Sequence, residues 1–242
     1  SGIGYYKFIE DVQEHFEEKK DHLIMSLKGL MKLIFRRDTL MVSYTSDQEG
    51  FAQIPALTEE FKSTLPAEEM PKAETIRPLG LKNEGFTTAS KVQYVCRAGN
   101  FKKAGYAYHG ALKILKVIMS YDYLWINLRV KGGAYGCMSG FKRSGESYFV
   151  SYRDPHLRRT LEVYEGVPEY VREMTKYIIG TISGKDVPRT PQTQGALGRM
   201  AYFRGLTVEM LQKERDQILN ATVEDIHALA PLIQAVLSDD QL

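Results

Sequence analysis

Side chains able to act on a polar group are concentrated in one short stretch, Leu128-Arg129-Val130-Lys131-Gly132-Gly133-Ala134-Tyr135-Gly136. The pattern puts Arg129 in the last turn of an apolar helix and Tyr135, six residues later, at the head of a strand. Gly132 and Gly133 let the backbone turn tightly between them, so that a guanidinium and a phenol can converge at one end of a sheet. Arginine offers a fork of donors and tyrosine a single hydroxyl, a set suited to gripping a peptide carbonyl or a developing oxyanion. The same two residues also read as purely structural. Arg129 would then complement the dipole at a helix terminus, and Tyr135 would pack within its strand. On spacing alone the structural role is the commoner outcome, since functional and structural pairs look alike at this level.

Other chemistries find less support. Five histidines are present, but neither H-E-x-x-H nor H-x-x-E-H occurs. His15, Glu18 and His22 share a helical stripe. They sit among Glu14, Glu17, Lys19, Lys20 and Asp21, which reads as a solvated charged face, so no metal is assigned to this chain. His109, His156 and His227 are isolated and read as surface or capping residues. There is no G-x-S-x-G elbow, and Gly132 to Gly136 follow a helix instead of opening one, which argues against phosphate cradling.

Thirty-two basic against 30 acidic residues give a net charge of +2 over 242 residues, no footprint for nucleic acid. Lys113, Lys116 and Asp122 interrupt the best apolar run, so no membrane span is expected. The first residues, Ser-Gly-Ile-Gly-Tyr-Tyr, lack a basic start and an apolar core. Cys96 and Cys137 are too few for a disulfide framework. A soluble cytoplasmic globular protein is the expectation.

The elements that must position Arg129 and Tyr135 follow from periodicity. Ile9, Phe16, Leu23 and Leu30 recur every seven residues on an N-terminal helical stretch, with a break expected near Lys20. Leu40 to Tyr44 reads as a short strand, and Ser46 to Glu49 as the start of a helix running from Phe51 to Leu65. Pro66, Pro71 and Pro78 mark an irregular connection ending at Gly80. Val92 to Cys96 reads as a strand closed by Gly99-Asn100. Ala111 to Val130 reads as one largely buried helix, with Lys113, Lys116 and Ser120 as its polar stripe and Leu112, Leu115, Ile118, Met119 and Trp125 around the rest. Gly132-Gly133 stops it. Ala134 to Phe141 and Ser147 to Tyr152 form a hairpin through Lys142 to Glu146. Asp154-Pro155 starts the next helix, and helices dominate from Leu157 on, punctuated by Gly166-Val167-Pro168, by Gly184 to Pro191 and by the capping pair Thr222 and Asp225. These elements imply a two-layer α+β fold with helices on one face of a mostly antiparallel sheet.

Leu128 to Gly136, followed by Tyr148-Phe149-Val150-Ser151-Tyr152-Arg153-Asp154-Pro155, closely resembles the C-terminal part of presequence proteases, within the pitrilysin/insulinase-type zinc metallopeptidases. Tyr94-Val95 with Ala98-Gly99-Asn100, Thr175 to Ile182, and Lys213-Glu214-Arg215-Asp216 extend the resemblance along essentially the whole chain. It implies an enzyme of four similar α+β domains in two halves that close around an unstructured peptide. Zinc and the glutamate base would belong to the N-terminal half, on an inverted H-x-x-E-H that this chain lacks. By this resemblance residues 1–37 are a helical lead-in, the end of the inter-half linker, and residues 38–242 the last domain. Alone it would hydrolyse nothing.

The family's substrate-facing arginine and tyrosine fall on Arg129 and Tyr135. They would hydrogen-bond the peptide backbone or the tetrahedral oxyanion, with Gly132 and Gly133 as the supporting turn. The partners implied are the N-terminal half of the same polypeptide and a short unfolded peptide substrate, with no nucleic acid and no membrane. An alternative is a catalytically inert relative acting as a structural or peptide-binding subunit; a free-standing helical interaction module rests only on the N-terminal stripe. The sequence departs from the family in running Tyr170 to Glu173 together where relatives carry a short acidic loop. It also stops at Leu242, where relatives continue into a final strand, so a sheet one strand short is expected.

Overall fold

The computed structural model describes residues 3–67, 89–174 and 187–238. The chain falls into two units, Ser1–Asn83 with Thr190–Arg199, and Glu84–Arg189 with Met200–Leu242.

In the first unit four helices follow one another: α1 (Ile3–Glu14), α2 (Phe16–Ile34), α3 (Gln48–Ala52) and α4 (Ile54–Ser63). The break between α1 and α2 falls at His15, not near Lys20, with φ −115° and ψ 34° at that residue. Asp11 knits the break together, its carboxylate taking both Lys19 and the His15 ring. Neither helix has a buried residue, and Ile9, Phe16 and Leu30 of the seven-residue stripe are 43%, 53% and 50% exposed. The strand expected at Leu40 to Tyr44 does not form. The segment finds no partner strand among the described residues, and Met41, Val42 and Tyr44 stay exposed, so neither a ladder nor burial supports it. Asp47 caps α3 by accepting from the Gly50 amide at 2.8 Å.

The second unit is built around a three-stranded antiparallel sheet in the order β1-β3-β2, with β1 at Gln93–Asn100, β2 at Gly136–Phe141 and β3 at Glu146–Asp154. Alternation gives the sheet two unlike faces. Val95, Phe149, Phe141, Ser139, Ser147 and Ser151 turn to the buried face, while Tyr94, Cys96 and Met138 lie on the open one. The β2–β3 hairpin closes where Gly145 adopts φ +95° and its amide bonds the Lys142 carbonyl at 2.9 Å.

Helix α5 (Ala111–Tyr121) packs on β2 and buries Leu112, Ile114, Leu115, Ile118 and Met119. Removing one such side chain to alanine costs about 2–5 kcal/mol. α6 (Leu157–Glu165) and α11 (Ala230–Leu237) cover β1, and the buried Tyr164 hydroxyl donates to the Val95 carbonyl at 3.1 Å. α7 (Val167–Glu173), α9 (Val208–Leu219) and α10 (Val223–His227) also belong to this unit, whereas α8 (Pro191–Phe203) belongs to the first as far as Arg199. Thr222 and Asp225 form the capping box that the sequence announces. α9 lies against α5, where Glu214 takes the Tyr108 hydroxyl at 2.8 Å and pairs with Arg143 at 2.6 Å.

The fold is therefore α+β, with two local departures from the periodicity. Ala111 to Val130 is not one helix: α5 ends at Tyr121, its C-cap Asp122 has a carboxylate that accepts the Tyr170 hydroxyl at 3.0 Å, and a π-helix follows over Trp125–Val130. Trp125, expected in the core, is 40% exposed as a result. Asp154-Pro155 does not start α6, which begins at Leu157 after His156. The Asp154 carboxylate is instead buried beneath the sheet end, accepting from Ser151 Oγ at 2.6 Å, Thr160 Oγ1 at 2.7 Å and the His156 amide at 2.8 Å. α7 runs unbroken through Tyr170 to Glu173. Thr175 to Ile182, the first three residues of the Gly184 to Pro191 punctuation and nearly all of the proline-marked connection lie outside the described residues.

Candidate functional site

The π-helix sets the position of Arg129. Its wider turn, closed by the Lys131 amide on the Ile126 carbonyl at 2.9 Å, brings residues four apart nearly into line, so the Arg129 guanidinium carbon lies 4.6 Å from the centre of the Trp125 ring. The Ala134 amide then reaches back to the Leu128 carbonyl at 3.0 Å, and the chain reverses.

Gly132 and Gly133 are both required for that reversal, for different reasons. Gly133 has φ +77°, the left-handed region, and a Cβ there would make only an ordinary contact, with Pro155 Cγ at 3.8 Å. Gly132 has no positive φ, but a Cβ there would stand 2.4 Å from the Leu128 carbonyl oxygen and 2.9 Å from that of Asn127. The helix stop belongs to Gly133 and the close approach to Gly132.

Tyr135 follows at the head of β2, its amide donating to the Tyr152 carbonyl at 3.2 Å. The fold brings the two expected site residues together: Arg129 Nη1 donates to the carbonyl oxygen of Tyr135, and the guanidinium carbon is 5.6 Å from the phenol ring centre. Both side chains are exposed, Tyr135 to 56%. A ring of tyrosines continues across the open face, with Tyr152 edge-on to Tyr135 at 5.3 Å and Tyr94 stacked on Tyr152 at 6.3 Å. Gly136 gives Tyr152 its place, because a Cβ there would come within 2.3 Å of that ring.

Arg153 is the member of the cluster that spacing did not single out. Gln93 pairs with Asp154 but Val95 with Ser151, so Tyr94 alone opposes Tyr152 and Arg153. This β-bulge carries Arg153 at φ 49°, the sole positive φ outside glycine among the described residues. Its guanidinium carbon also lies 5.6 Å from the Tyr135 ring centre. The signal was present in the sequence only as an unremarkable Tyr-Arg-Asp run at a strand end. Nothing local announces a bulge.

The arrangement can hold an extended polar chain: donors on two guanidinia and a phenol, aromatic walls, and free access from one side. Close by, burial pushes the Cys137 thiol up to about 11 against the opposing pull of Arg129, which favours the neutral thiol near pH 7. The described residues offer zinc no site, since among them no three His, Cys, Asp or Glu side chains gather to hold a metal. His15 sits between helices, and His227 Nε2 is engaged with the Met174 carbonyl at 2.8 Å. His109 Nδ1 accepts from the Ala111 amide at 3.2 Å.

Comparison with known proteins places this architecture. Residues 83–241 match the family model described as the PreP C-terminal domain. Protein HypA of Clostridium perfringens is 41% identical over 249 aligned residues, covering 100% of this chain and 25% of that protein. Presequence protease 1, chloroplastic/mitochondrial, of Arabidopsis thaliana is 30% identical, covering 97% of this chain and 23% of its own length. The mitochondrial presequence protease of Gibberella zeae is 26% identical, over 95% and 24% respectively. The chain thus spans about a quarter of the length of the curated relatives it matches. A match over most of the sequence, on a chain whose sheet, hairpin and glycine turn are those described above, identifies it as a member of the presequence protease family, corresponding to its C-terminal domain.

Proposed function

We propose that this domain grips the peptide substrate of a zinc metallopeptidase acting on short unfolded peptides. Arg129 and Tyr135 are its contacts with the peptide backbone and with the oxyanion that develops at the scissile carbonyl. The observation that carries the reading is the Arg129 guanidinium braced on the Tyr135 carbonyl beside the Tyr135 phenol, both open to one side. A donor fixed before substrate arrives stabilises developing charge without reorganising. The zinc and the general base belong, in this reading, to the N-terminal half of the parent polypeptide, which is the partner of this domain. This chain by itself is inactive.

The test is Arg129→Ala and Tyr135→Phe in the full-length parent. Turnover should fall by about 10²–10³ for the arginine variant, as for loss of one oxyanion donor, with zinc content unchanged. Turnover equal to wild type in Arg129→Ala ends the assignment. A second reading is an inert relative serving as a structural or peptide-binding subunit, since the described residues gather no metal site of their own. A parent that binds peptides but cleaves none at full metal loading would favour it.

A further inference from the structure

The bulge at Arg153 separates two neighbouring charges. Asp154 turns inward, where three hydrogen bonds from Ser151, Thr160 and His156 occupy its carboxylate. Arg153 is exposed, and no carboxylate among the described residues pairs with it; its guanidinium lies over the Tyr135 ring. Arg129 is likewise without a carboxylate, spending one nitrogen on the Tyr135 carbonyl. Two exposed guanidinia therefore lie 5.6 Å from one phenol ring centre, neither paired with a carboxylate among the described residues. A left-handed backbone at a non-glycine residue is strained, and here it is held at an exposed position. Strain held at an open site with unspent charge points to a ligand that repays it.

We propose that Arg153 is a specificity-determining residue of this site, taking a carboxylate of the bound peptide on its guanidinium fork beside Arg129. The carboxylate is either the C-terminal group of the peptide or an aspartate or glutamate side chain. The planar fork matches a carboxylate in two parallel hydrogen bonds, which an ammonium cannot do. The exposed face of Tyr135 fixes the plane of approach. This inference rests on the reading that Arg129 and Tyr135 face substrate.

The experiment uses the full-length parent and matched peptides: a free acid against its C-terminal amide, and a glutamate-bearing peptide against its glutamine counterpart. In wild type, KM should be about tenfold lower for the carboxylate member of one pair, and which pair responds names the source of the group. Arg153→Asn should bring that KM ratio to near one. Asparagine tolerates a left-handed backbone better than other non-glycine residues, so the bulge survives. Arg153→Lys, which keeps charge without the fork, should leave a ratio of about twofold to threefold. If Arg153→Asn keeps the wild-type ratio while Arg129→Ala has lost turnover, the inference fails and the substrate-facing reading stands. If Arg129→Ala turns over normally, both fall. A wild-type ratio near one for both pairs also overturns the inference.

Discussion

Replacing Gly132 and Gly133 separately by alanine tests whether the site depends on the shape of its turn. At Gly132 the new Cβ would meet the Leu128 carbonyl oxygen at 2.4 Å and the Leu128 carbonyl carbon at 3.1 Å, whereas ordinary contact begins near 3.4 Å. About 1 Å must be found in the backbone, because no flexible side chain can give way. The atom displaced is the acceptor of the Ala134 amide, so that hydrogen bond is lost or bent, at about 1–3 kcal/mol for the orphaned groups together with the strain. Leu128 carries Arg129, and Ala134 carries Tyr135. A shift of this size in a positioning turn can cost about 10²-fold in turnover. Gly133→Ala is the control: φ +77° makes alanine cost about 1–2 kcal/mol, but the nearest atom to its Cβ is Pro155 Cγ at 3.8 Å, so the turn keeps its shape. Thermal unfolding of the chain and peptide turnover of the full-length parent should then separate the two. Both variants lose stability, while Gly132→Ala loses far more activity. Equal turnover losses at equal stability loss, or a fully active Gly132→Ala, would refute the argument that this turn aims the pair.

Two further outcomes follow from single side chains. Ser139 Oγ is buried with no hydrogen-bond partner among the described residues, so Ser139→Ala should raise stability by about 1 kcal/mol, read as a higher midpoint in denaturant with unchanged slope. At the α10 cap, the Thr222 amide bonded to Asp225 holds its carboxyl below the usual carboxylate range. A pKa depressed in the folded state contributes stability above the unfolded value and loses it as pH falls through the folded one. Asp225→Asn should therefore cost about 0.5–1 kcal/mol at pH 7 and nothing once the carboxyl is protonated, a convergence that urea titrations at pH 7 and pH 2 would reveal. A constant difference across that range would contradict the cap as the cause.

Much of the scaffold was legible in the chain itself. The apolar run from Ala111 fixes α5 because Leu112, Leu115 and Met119 share a helical face whatever surrounds them. The hairpin is written in alternating residues around Gly145, and the α10 cap in Thr222 and Asp225. These are signals of a few neighbouring residues, and neighbours decide them. The sequence also singled out Arg129, Tyr135 and the glycine pair, although spacing alone read them as well as a helix stop and a packed strand, and the family resemblance gave them their expected role.

Tertiary structure decided what depends on distant partners. Leu40 to Tyr44 has residues acceptable in a strand but no ladder to join, and a strand without hydrogen-bond partners is not favoured over loop. The helix after α5 opens into a π-turn where Asp122 meets Tyr170, forty-eight positions away. The bulge that swings Arg153 out and Asp154 in exists because Tyr94 of another strand opposes two residues at once. Local pattern thus supplied most of the elements and the first two side chains of the candidate cluster. The third, and the orientation of all of them, came from pairing between segments far apart in the chain, which no window of sequence contains.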